Sequence, residues 1–114
     1  MGSAMKVQHQ GLAAGRWKQM TLAEQMSNIG SEVERAFNWK ARNNGPFCQK
    51  AVERALELLD LSLESTRQLP RLKEFARVRE ALVDYFCDTN QYQSSEGAWR
   101  KYFLYFTLRL RKDH

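Results

Sequence analysis

Only Pro46 and Pro70 interrupt this chain of 114 residues, and six glycines are scattered along it. With so few breakers, nothing forces short elements, and the local preferences of the remaining residues decide. Cysteine is almost as scarce: Cys48 and Cys87 lie far apart in sequence, with neither the CxxC spacing nor the Cys/His density of a metal site. They are expected to be reduced thiols in the core of two separate helices. Histidine is confined to His9 and His114, near the two ends, so a Ser/His/Asp or Cys/His catalytic constellation is not expected. No apolar run approaches the ~18 residues of a membrane span, and the start lacks the pattern of a secretory signal. Phosphate-loop and dinucleotide fingerprints, internal repeats and low-complexity segments are missing too. These absences favour a cytoplasmic, non-enzymatic protein without a cofactor.

What is present is a helix-forming composition. Ala, Leu, Glu, Lys, Arg and Gln dominate, while 43% hydrophobic and 11% aromatic residues suffice for one compact core. The expected class is all-α, with residues 17–114 as a single domain. Residues 1–16, including "MGSAM" and "KVQHQGLAAG", carry no sustained apolar face and are read as a flexible N-terminal segment.

Four helices follow from punctuation and period. Thr21 and Glu24 stand at capping-box spacing, and Leu22, Met26, Ile29, Val33 and Phe37 then form one stripe up to "NNG". Gly30 beside that stripe suggests a close helix approach. Pro46 opens a second helix, with Phe47, Cys48, Ala51, Ala55, Leu58, Leu59 and Ser62 inward, and Pro70 a third, with Leu72, Phe75, Ala76, Leu82, Val83 and Phe86 inward. Ser94 or Ser95 caps a fourth, whose inner stripe is Trp99, Phe103, Phe106 and Leu110. Connections of roughly three to eight residues favour an up-down-up-down four-helix bundle.

Against this pattern several polar and apolar residues stand out. Arg79 projects among the apolar positions of the third helix, which predicts a buried pair with a carboxylate; Glu32 beside the first stripe is the first choice, with Tyr102 as a further contact. Glu53, Glu57, Asp60 and Glu64 form an acidic ridge on the second helix, but it lies opposite the apolar stripe and no Glu-x-x-His pair exists to build a di-metal site. It reads as a solvated face. A net charge of +5, with Arg71, Lys73, Arg77, Arg100, Lys101, Arg111 and Lys112 on the third and fourth helices, offers possible contacts to nucleic acid. "WRKYFLYFTLRL" is apolar beyond the single stripe a bundle needs, and Leu104, Tyr105 and Leu108 form a second face. That face predicts self-association, most simply as a homodimer.

Two resemblances bear on function. The segments "LAEQMSNIGSEVERAFNWK", "RALELLDLSL", "RVREALVDYF" and "WRKYFLYF", spread over residues 17–108, resemble a family of short uncharacterised bacterial and archaeal helical proteins, known as hypothetical open reading frames; that likeness implies a compact helical domain. Arg109 and His114, in "RLRKDH", have the Arg-x4-His spacing that resembles the ribonuclease motif of HEPN domains, also small helical bundles. It implies RNA cleavage by this pair as the alternative to a macromolecular interaction module.

Overall fold

The structure, a computed structural model, describes residues 15–112. Most of the expected N-terminal segment, with His9, and the terminal His114 lie outside the described residues. The described chain is all-helical: a helical turn over residues 15–18 precedes α1 (Leu22–Ala41), α2 (Gly45–Ser65), α3 (Leu69–Cys87) and α4 (Glu96–Lys112).

The helix boundaries follow side-chain chemistry. Thr21 Oγ1 accepts the Glu24 amide while Glu24 Oε1 accepts the Thr21 amide, closing the capping box at the head of α1. Asn43 takes a φ of 58° in the turn that follows, a conformation asparagine tolerates better than most residues. Asn44 Oδ1 then accepts the Phe47 amide, and Pro46 occupies the first turn of α2. Ser95 Oγ accepts the Ala98 amide at the start of α4.

Close packing joins α1 to α2, α1 to α4, and α2 to α3. Along the α1/α4 contact Glu34 meets Arg100, Gly30 meets Phe103 and Ser27 meets Thr107. Gly30 performs the expected task, since a Cβ there would stand 2.8 Å from Phe103 Cβ and Cγ. The stripes of α1 and α4 enter the core as expected: Met26, Ile29, Val33, Phe37, Trp99, Phe103 and Phe106 are all buried.

Helix α2 buries the expected Ala51, Ala55, Leu59 and Ser62 and differs at its margins, whereas α3 is turned from the expected orientation. On α2, Val52 is buried and Phe47 is exposed, its ring instead meeting Trp39 edge-on. On α3, Val78 is buried beside Phe75 and Leu82, whereas Ala76 is exposed. The inward line is therefore Phe75, Val78, Leu82 and Tyr85, at steps of three and four. Arg79 consequently sits at the margin of the packed face.

Candidate interaction surface on the fourth helix

Three of the large hydrophobic side chains left exposed among the described residues lie within one stretch of α4. Leu104, Tyr105 and Leu108 retain 51%, 57% and 50% of their accessible surface. At 100° per residue they occupy an arc opposite Trp99, Phe103 and Phe106, as expected. Lys101 and Lys112 lie a turn before and a turn after, both exposed. Beside the patch, Arg109 Nη1 donates to the Tyr105 hydroxyl at 3.2 Å. Arg109 is thus a neighbour of the apolar surface, and its expected catalytic companion His114 falls outside the described residues.

The inner side of α4 is held by polar contacts that fix which face remains outside. The Arg100 guanidinium grips Glu34 of α1 through two bonds of 2.9 Å and lies over the Phe37 ring, 5.3 Å from its centre. On the opposite flank the Tyr102 hydroxyl donates to Glu74 of α3, whose carboxylate also accepts from Arg77. Burial, reinforced by the neighbouring Glu74 carboxylate, raises the Tyr102 phenol well above its ordinary range.

Because α3 and α4 do not pack closely, a groove of about 570 Å³ opens between them. Val78, Ala81, Ala98 and Trp99 give it an apolar wall, and Tyr92 from the connecting segment stands at its rim. The indole N–H of Trp99 is buried without an acceptor. The segment at the rim is pinned by Asp84, a buried carboxylate that accepts the amides of Gln91 and Tyr92 at 2.8 and 3.0 Å. Asn90 and Ser94 complete it with reciprocal bonds. Asp84 escaped the sequence reading because an acid in the last turn of a helix carries no periodic signal; only the polar "NQYQSS" that follows hints at a loop needing acceptors.

The Arg79 pair differs from expectation. Arg79 Nε donates to Asp60 of α2 at 2.7 Å, and neither side chain is buried, at 38% and 49% exposure. The rotation of α3 moves Arg79 to the α2 side, where the acidic ridge supplies the nearest carboxylate. Glu32 pairs instead with Arg35 one turn along α1, and its second oxygen is buried without a partner. Tyr102 meets Glu74 rather than Arg79.

The basic residues do not converge as a group. Arg77 and Arg100 are held by Glu74 and Glu34. Lys73, Lys101, Arg111 and Lys112 are exposed, and Arg71 is partly buried at the start of α3. Arg100 and Arg111 alone are about 16 Å apart along the helix axis. The cysteines are a partial correction: Cys48 is half-buried against Ala36, Ala51 and Val52, whereas Cys87 is exposed and outside the core. Both line one cavity of about 580 Å³ with Val52, Tyr85 and Phe86, and burial pushes the Cys48 thiol up from its usual value. Among the described residues no cluster of three or more His, Cys, Asp or Glu could hold a metal ion, and no helix is long and apolar enough to cross a membrane. No family model, curated protein or solved structure matches the chain.

Proposed function

We propose that this chain is a non-enzymatic interaction module, an up-down-up-down four-helix bundle that acts as a homodimer joined through the outer face of α4. One observation carries the reading: Leu104, Tyr105 and Leu108 remain exposed together on one face, while the core is complete without them. A two-fold axis across this helix sets Leu104 of one copy against Leu108 of the other, so a single patch complements itself. Each leucine is already half-buried, so docking recovers on the order of 1 kcal/mol apiece, with Tyr105 adding aromatic area. Lys101, Arg109 and Lys112 spread their aliphatic stems over the margin and keep their charges in water. The two free thiols suit a reducing cytoplasm, and the resemblance to short bacterial and archaeal helical proteins agrees with a compact helical domain.

Light scattering on the full chain tests the proposal. The wild type is expected at twice the chain mass, and Leu104→Glu/Leu108→Glu at the single mass with its helical circular dichroism unchanged. A monomeric wild type at tens of micromolar overturns the reading. RNA cleavage that disappears in His114→Ala replaces it with the ribonuclease alternative.

A further inference from the structure

Three cations from separate segments meet at one end of the molecule. Lys18 closes the turn before α1, Arg67 lies in the link between α2 and α3, and Arg71 belongs to the first turn of α3. Together with Ser65 and Thr66 they line a concavity of about 200 Å³, and no carboxylate lines it. The ion pairs among the described residues engage Arg35, Arg77, Arg79 and Arg100, leaving these three cations without one.

The backbone carrying them is tied down. Trp17 Nε1 donates to Ser62 Oγ at 2.8 Å and Gln25 Nε2 to the Trp17 carbonyl at 2.7 Å, which fastens the turn bearing Lys18 to the end of α2 and to the start of α1. Phe75, fully buried, anchors the head of α3 one turn beyond Arg71. The backbone positions of three like charges are thus held around one concavity, an arrangement that an anion relieves. The volume lies below the roughly 300–1,000 Å³ of pockets for drug-sized molecules, so it suits one compact group. Two guanidinium forks and an ammonium match the several acceptor oxygens of a phosphate, which carries about −1 charge as a diester and about −1.5 to −2 as a monoester at neutral pH, better than a single carboxylate.

We propose that Lys18, Arg67 and Arg71 form a phosphate-binding cup, with the Thr66 hydroxyl as an additional donor. The site is separate from the α4 face and does not depend on dimerisation. Its phosphate comes either from a free phosphate monoester or from a nucleic-acid backbone.

The experiment is a titration of the isotopically labelled full-length chain with inorganic phosphate, followed by amide NMR, with chloride at matched ionic strength as control. Saturable shifts centred on residue 18 and residues 65–71 are expected with phosphate alone. Arg67→Gln/Arg71→Gln weakens binding by about tenfold or more, while Arg67→Lys/Arg71→Lys, which keeps the charge and loses the forks, falls between. Lys18→Gln provides the same readout, with a smaller loss, should the double glutamine variant fail to fold. Competition by single-stranded RNA with a 5′-hydroxyl assigns the cup to the backbone; competition only by the 5′-phosphorylated strand assigns it to monoesters. Shifts no larger than with chloride, or equal affinity in folded wild type and variants, overturn the proposal.

Discussion

Single residues carry the tightest constraints. Gly30 has no room for a methyl group, because Phe103 is itself buried and cannot swing away. Gly30→Ala is therefore expected to lower stability by about 1–3 kcal/mol, the cost of overpacking less the small gain in helix propensity, measured by urea denaturation. Arg79 gives the opposite outcome. Its partner Asp60 is about half exposed, so solvent screens the pair and each of Arg79→Met and Asp60→Asn should shift stability by less than about 1 kcal/mol. A loss of several kcal/mol in either variant would show that the pair is desolvated.

At the scale of the element, the segment between α3 and α4 is organised by a side chain from α3. Asp84 accepts two backbone amides, and its own carbonyl accepts the Asn90 amide at 3.0 Å. Within this segment Asn90 and Gln93, the latter donating its amide to the Asn90 carbonyl, take φ values of 56° and 54°, a conformation that costs energy for non-glycine residues. Asp84→Ala removes two charge-assisted bonds and leaves two amides without their acceptor. The expected loss is about 2–4 kcal/mol, with faster amide hydrogen exchange confined to residues 88–95. Exchange that rises uniformly along the chain would instead assign Asp84 to global stability. Tyr92 at the rim of the α3/α4 groove is held at its backbone by this carboxylate and at its hydroxyl by Glu80, whose Oε1 accepts at 3.1 Å.

For the whole molecule, charge and apolar surface make opposite demands on ionic strength. A dimer through α4 brings Lys101, Arg109 and Lys112 of two copies together, so added salt should strengthen association by screening their repulsion. Nucleic-acid binding through cationic side chains weakens with salt, because counterions are released when it forms. The fraction of dimer, followed by light scattering from low to moderate sodium chloride, should therefore rise. A fall would mean that attraction between opposite charges, not burial of Leu104 and Leu108, holds the copies together.

The sequence by itself determined the helical class, the four helix starts and the inner stripes of α1 and α4, because caps, prolines and the spacing of apolar residues are local signals. Thr21 with Glu24, Pro46 and Ser95 act within one helical turn, and no distant contact competes with them. Gly30 was legible for a related reason: a residue without a side chain beside an apolar stripe has few uses other than close approach. Tertiary structure decided the rotation of α3 and the margins of the inward face of α2, since their apolar residues cover more than one face and only the packed partner selects Val52 and Val78 over Phe47 and Ala76. The same rotation exchanged Glu32 for Asp60 at Arg79, and helix packing brought Lys18, Arg67 and Arg71 onto one concavity. Periodicity describes each helix about its own axis; the angle at which one helix meets the next is set by interdigitation of both surfaces.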